Sequence, residues 1–227
     1  MNTYNYVTLG ARDELYTPNI TYAGVDSVLF SFDIAAATYS YPGSTAIPLD
    51  TLEILLTTDC GNTFTTIYKK WGEDLQTVGD PNTPQTTEFF PAANQWRTEN
   101  IDLSAYAPNG PIQLVFRTTS NFENNIYIDN VNVRTKTLPA RLKSDGYLIL
   151  PNPFHNQFAV WHYRTPTNLR FITVYNASGQ LVWSRQFSGN ADKYLSIDLS
   201  NRPAGIYIVN LGYDDSNRNV SQRIMKY

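Results

Sequence analysis

Val28-Leu29-Phe30-Ser31-Phe32-Asp33-Ile34-Ala35-Ala36-Ala37-Thr38 is the stretch from which the fold is read. Val28, Phe30, Phe32 and Ile34 fall on one face at a period of two, the signature of a half-buried strand. Leu52, Ile54 and Leu56 repeat the pattern, and Asp59-Cys60-Gly61-Asn62 supplies turn chemistry before 63–68, so 51–68 is predicted to be a β-hairpin. Strand signals resume at 96–103, 112–118 and 126–133, separated by turns at 106–110 and 121–125. Between them, 72–95 contains three Pro, two Gly and no sustained period. An excursion of that length is either functional or a lid over a sheet face. No segment keeps a 3.6-residue period for ten residues, so the first part of the chain is predicted to be an all-β two-sheet sandwich.

Composition agrees. The 227 residues include sixteen Tyr and eleven Phe, and only 16% are charged, a bias toward strands. The length suits two domains. The formal net charge of −3 gives no electrostatic reason to bind nucleic acid or an acidic membrane. That charge is uneven: residues 1–144 carry −6 and residues 145–227 carry +3, with no Glu in the latter part. The single cysteine, Cys60, excludes an internal disulfide and a multi-cysteine metal site, and reads as a loop thiol. No apolar run approaches the ~20 residues needed to span a bilayer as a helix. The first residues lack the basic and apolar regions of a signal peptide, so an exported protein would be expected to have more sequence ahead of residue 1.

Residues 136–146 are polar, basic and broken by Pro139 and Gly146, which suits a linker. The expected division is therefore 1–135, a linker at 136–146, and 147–227. Seven short strands are predicted in the last part, at 147–150, 158–163, 169–175, 180–186, 194–199, 205–211 and 220–226. Their count and spacing suggest a small immunoglobulin-like seven-stranded sandwich. Pro151 and Pro153 stop the first of these strands, and Phe154 can fold back as a core anchor. Asn176-Ala177-Ser178-Gly179 is a hairpin turn, and 199–205 a corner delivering Ile206 to Val209 into a strand.

In order and spacing, Pro151-Asn152-Pro153-Phe154, the Val174-Tyr175-Asn176 to Gln180 hairpin, Gly205-Ile206-Tyr207-Ile208-Val209 and the basic end strand through Arg223 and Lys226 resemble a type A C-terminal sorting domain. This is the signal of the type IX (Por) secretion system of Bacteroidota, and the resemblance covers roughly 145–227. The departures are Arg202-Pro203-Ala204 before Gly205, and Tyr227 after the usual terminal Lys. The resemblance implies a substrate recognised by an outer-membrane translocon and shuttle barrel, cleaved by a sortase-like peptidase, and carried through the periplasm to the cell surface or medium. It places recognition at Pro151, Asn152, Pro153, Phe154, Gly205, Ile206, Tyr207, Val209, Arg223 and Lys226. A last strand with unpaired backbone groups can also add to another sheet.

Leu29 to Asp33, Leu52 to Phe64, Trp96 to Tyr106 and Ile126 to Val131 resemble the MAM-like jelly rolls known as choice-of-anchor J or cleaved-adhesin domains, over about residues 10–135. The pattern implies a jelly-roll β-sandwich of accessory or adhesive type. Strict alternation puts Asp129 on a face with Tyr127, Val131 and Val133, where an unpaired carboxylate is expensive. Either a bulge turns it outward, or hydrogen bonds or a cation satisfy it. Related jelly rolls often hold structural calcium with an acid on this strand, so a calcium ion at Asp129 is one expectation, and a hydrogen-bonded Asp the other. Trp71, Tyr39, Tyr41, Trp96 and Tyr106 could form a sugar-stacking platform, with Trp71 and Trp96 its ligand-binding residues; core packing is the alternative. Asp26-Ser27-Val28 and Asp50-Thr51-Leu52 match a short O-glycosylation acceptor motif. His155 and His162 have no catalytic spacing, Glu73 and Asp74 read as solvated surface, and no nucleophile or phosphate-loop motif occurs, so catalysis is not expected of this chain. The rivals are a carbohydrate- or surface-binding module and the noncatalytic end of a secreted metallopeptidase.

Overall fold

The computed structural model describes residues 1–44, 49–79, 84–106, 110–214 and 219–227. Part of the excursion at 72–95 and most of the turn at 106–110 lie outside the described residues. The chain divides into two units, Met1–Thr137 and Leu138–Tyr227.

In the first unit the strands are β1 (Arg12–Tyr16), β2 (Ser27–Ala36), β3 (Thr51–Thr57), β4 (Thr65–Trp71), β5 (Arg97–Asp102), β6 (Gln113–Thr119) and β7 (Ile126–Lys136). They form two antiparallel sheets, ordered β1-β6-β3-β4 and β5-β2-β7. The alternation at Val28, Phe30, Phe32 and Ile34 is realised on β2, and all four side chains are fully buried. They face Leu52, Ile54 and Leu56 of β3 and Leu114 and Phe116 of β6 in one core. The rings of Phe32 and Phe116 meet edge to face at 5.6 Å, as aromatic quadrupoles prefer. The hairpin expected at 51–68 is the β3–β4 pair, with Cys60 exposed in its turn.

Strand β1 carries no alternation that a sequence could betray, since four of its five residues are exposed. It is held by its ladder to β6 and by Arg117, which donates to Glu14 at 2.6 Å. The excursion after β4 opens with a one-turn helix, α1 (Gly72–Leu75), and its described residues around Thr77, Val78 and Phe89 lie over the outer face of β5-β2-β7 as a lid. Thr77 N–H donates to Ala36 O at 2.8 Å, and Phe89 packs on Ala35 and Ala37 beside Val78, Trp96 and Tyr127. Arg97 pins the helix end by donating to the carbonyls of Asp74, Leu75 and Gln76.

In the second unit a six-residue helix, α2 (Ala140–Asp145), occupies most of the segment read as a linker and ends at Gly146, whose φ of +81° only glycine adopts freely. Among the described residues, the strands that follow are β8 (Tyr147–Leu150), β9 (Gln157–His162), β10 (Leu169–Asn176), β11 (Leu181–Gln186), β12 (Tyr194–Asp198), β13 (Gly205–Tyr213) and β14 (Asn219–Lys226). They stack as β12-β9-β8 and β11-β10-β13-β14, an immunoglobulin-like order. Their core contains Phe154, Phe158, Val160, Ile172, Val174, Ile197, Val209, Leu211 and Ile224. Both units are all-β sandwiches. No described helix is long and apolar enough to cross a membrane.

Candidate functional site

The segment Pro151 to Phe154 closes over the end of β14. Both prolyl bonds in it are cis. Phe154 is 1% exposed, with its ring 5.1 Å from that of Phe158, so it is the core anchor expected. Its N–H donates to Met225 O at 2.9 Å, and its carbonyl accepts from Tyr227 N–H at 3.1 Å, a parallel bridge beside Lys226. Asn152 extends the clamp: its Oδ1 accepts from Met225 N–H at 3.0 Å and its Nδ2 donates to Arg223 O at 3.4 Å. The outer edge of β14 is therefore covered along 223–227 by these four residues, which limits how much of that strand can add to a foreign sheet.

The corner before β13 is tied to the same place. Tyr207 reaches back so that its hydroxyl donates to Pro203 O at 2.6 Å, and Lys226 Nζ donates to Arg202 O at 2.7 Å. Strand β13 pairs with β14 from Gly205↔Lys226 to Gly212↔Asn219. The motif segments thus converge on one end of one sheet. Of the ten residues assigned to recognition, Phe154, Tyr207 and Val209 are buried and Lys226 is half-buried. The side chains of the first three are held in the core of the second unit. Pro151, Asn152, Pro153, Gly205, Ile206 and Arg223 are exposed. Asn152, Pro153, Ile206 and Arg223 line a shallow cleft together with Met225, a residue the sequence reading did not single out.

The residues predicted for other roles scatter. Trp71 is exposed at the end of β4, whereas Trp96 is half-buried with its ring 6.5 Å from Tyr127. Tyr39 is buried between Tyr4 and Tyr41, and Tyr106 packs against the core. Of the five aromatics, Tyr39 and Tyr41 are in ring contact at 5.1 Å. Asp129 lies on the exposed side of β7, because the β2–β7 register slips by one residue between Ser31 and Asp33, with Asn130 in the left-handed region at φ 49°. The bulge splits the face expected from strict alternation, returning Val133 to the core while Asp129 stays out. Asp129 Oδ1 accepts from Asn130 N–H at 2.7 Å, and the facing Asp33 is satisfied by Thr98 and Asn130. The described residues bring together no group of three or more His, Cys, Asp or Glu that could hold a metal.

Sequence reasoning missed a different acid pair. Asp50 is fully buried just before β3, and Glu123 is 4% exposed just before β7. Asp50 Oδ1 accepts the backbone N–H groups of Asn121 and Glu123 at 2.5 and 3.1 Å, and Glu123 Oε2 accepts that of Asp50 at 2.8 Å. The second oxygen of each, Asp50 Oδ2 and Glu123 Oε1, is buried with no hydrogen-bond partner. Burial pushes both carboxyls up, that of Glu123 to about 8. The signal was slight: Asp50 shares the core-facing parity of Leu52, Ile54 and Leu56. In the second unit His162 is also buried. Its Nε2 lies 2.8 Å from the Tyr213 hydroxyl, Nδ1 has no hydrogen-bond partner, and burial lowers its pKa to about 4.

Comparison with known proteins bears on the second unit. The family described as the secretion system C-terminal sorting domain matches residues 148–226. That segment is thus a C-terminal sorting domain, a signal rather than a catalyst, and it supports reading the chain as a type IX secretion substrate. No curated protein matches the chain. Among solved structures, PorZ of the type IX system of Porphyromonas gingivalis is 14% identical, with 49% of this chain and 14% of that one covered and a TM-score of 0.29. Endo-D from Streptococcus pneumoniae is 12% identical over 96% of this chain and 32% of that one, also at 0.29. A β-glucuronidase from Faecalibacterium prausnitzii is 10% identical over 96% and 37%, at 0.27. The chain spans between 14% and 37% of these three structures.

Proposed function

We propose that this chain is the C-terminal region of a type IX secretion cargo, in which the second unit is the export signal and the first is a noncatalytic MAM-like accessory or adhesive module. The observation that carries the reading is the sorting-domain match over 148–226. The convergence of Asn152, Pro153, Ile206, Arg223 and Met225 at one exposed end of the β13–β14 pair supports it, because a signal read in the folded state needs its determinants on one surface. An outer-membrane translocon and its shuttle barrel engage this end, a sortase-like peptidase removes the domain, and the cargo passes through the periplasm to the cell surface or medium.

The test is export of the full chain in a secreting bacterium, in a strain lacking the translocon, and for a chain ending at Thr137. The expected outcome is surface or medium localisation only for the full chain in the competent strain, with periplasmic retention otherwise. Equal export of the truncated chain overturns the reading. A second reading, a surface glycan bound by the first unit, has the 48% exposure of Trp71 in its favour. Glycan-array binding lost in Trp71→Ala would establish it.

A further inference from the structure

We propose that the outer face of the β11-β10-β13-β14 sheet holds a binding site for an uncharged oligosaccharide. A shallow cleft of about 410 Å³ opens there, within the ~300–1,000 Å³ usual for small-molecule sites. Its lining alternates along the strands with core residues: Phe171, Thr173 and Tyr175 of β10 with the buried Ile172 and Val174, and Asn210 of β13 with Val209 and Leu211. The ladders set these side chains in rows across the sheet. One row runs Gln186, Phe171, Gly212, Asn219, so an aromatic ring is bracketed by two exposed amides. The next row brings Thr173, Asn210 and Ser221 side by side. Two of these groups are fixed in place. The Phe171 ring occupies the space that any side chain at 212 would fill, which gives a reason for a glycine inside a strand. Asn210 Oδ1 accepts from the Ser221 hydroxyl at 2.6 Å, which leaves its Nδ2 to donate elsewhere.

The lining selects the ligand. None of the described residues around the cleft is charged, so it has no Arg or Lys to match a phosphate, sulfate or carboxylate and no carboxylate to match a cation. The two central strands, β10 and β13, are each paired on both sides, so no free backbone is there for a peptide strand to add to. A wholly apolar ligand would cover the amides and hydroxyls of Gln186, Asn210, Asn219, Thr173 and Ser221 without satisfying them. A sugar meets both demands. The C–H face of its ring carries partial positive charge and packs on the negative face of an aromatic ring. Its hydroxyls both donate and accept, as do the amides and hydroxyls that surround Phe171. Phe171 and Tyr175 stand four residues apart on one strand, about 13 Å, which leaves room for more than one sugar ring. The site belongs to the second unit and is independent of Trp71 in the first, and it stands whether or not that unit is an export signal.

Binding of the full chain to an array of uncharged oligosaccharides of glucose, galactose, mannose and N-acetylglucosamine, with sulfated and uronic-acid oligosaccharides beside them, tests the site. Calorimetric titration of the members that bind then gives affinities. Binding is expected within the uncharged set, with a Kd of about 1 mM or tighter. The double variant Gln186→Ala with Asn210→Ala is expected to weaken it at least about tenfold while its unfolding temperature stays that of the native chain, because neither side chain is in the core. Gly212→Ala is expected to weaken binding as well, by displacing the Phe171 ring from its seat. Trp71→Ala is expected to leave the affinity unchanged. Absence of binding to every uncharged oligosaccharide would overturn the proposal, as would a preference for the charged ones. Full affinity in the double variant, or a loss seen only in Trp71→Ala, would also overturn it and, in the latter case, move sugar binding to the first unit.

Discussion

Phe154 and Arg223 belong to the same motif set and do opposite work. Phe154 is 1% exposed between Phe158 and Tyr207, so Phe154→Ala leaves a cavity and is expected to cost about 3–5 kcal/mol of the second unit's stability, measured by urea unfolding. Its effect on export follows from that unfolding. Arg223→Ala and Ile206→Ser touch exposed side chains and are expected to change stability by less than about 0.5 kcal/mol. If the cleft at Asn152, Pro153, Ile206, Arg223 and Met225 is the recognised surface, pairing these two substitutions lowers export of a normally stable protein; unchanged export would move recognition elsewhere. His162 gives a separate residue-scale expectation. Its folded pKa of about 4 lies below the ordinary value of 6.5, so as pH falls the unfolded chain takes up the proton first. The stability it contributes is present above about pH 6.5 and is lost as pH falls toward 4, by up to roughly 3 kcal/mol. Urea midpoints of the second unit at pH 7 and pH 4.5 measure this, and His162→Gln should flatten that part of the dependence.

Among the elements, β7 was legible as a strand but not as a bulged one. Nothing in Ile126-Tyr127-Ile128-Asp129-Asn130-Val131 announces an extra residue, because the bulge is a property of its pairing with β2. In sequence terms the hint is Asn130, a residue type that tolerates the left-handed region better than most. Asn130→Val is expected to destabilise the first unit by about 1–2 kcal/mol, since a β-branched residue resists φ 49° and the Asn130 Nδ2 bond to Asp33 is lost. Asn130→Gly should cost less, as it keeps the backbone and loses only the side-chain bond; equal costs for the two would refute the bulge as the cause. β1 was missed for a related reason. An edge strand with mostly exposed residues has no apolar face to betray it, and its place is set by the β6 ladder. Most strands of the second unit were visible because they place alternate residues in one small core.

For the molecule as a whole, the sequence by itself determined that both parts are all-β, where the strands of the second unit run, and, through its ordered motifs, that the C-terminal part resembles a sorting domain. These are properties of alternation and turn chemistry, written locally within ten or so residues. Only the tertiary structure decided the rest. It showed that the lid of 72–95 is fastened by Thr77, Phe89 and Arg97, and that Phe154, Tyr207 and Val209 are core residues while Ile206 and Arg223 are surface. It also brought Asp50 and Glu123 together across 73 positions of sequence. Such facts depend on which strand faces which and on where a register slips by one residue. A slip of one inverts every side chain beyond it, so no local pattern can carry that information.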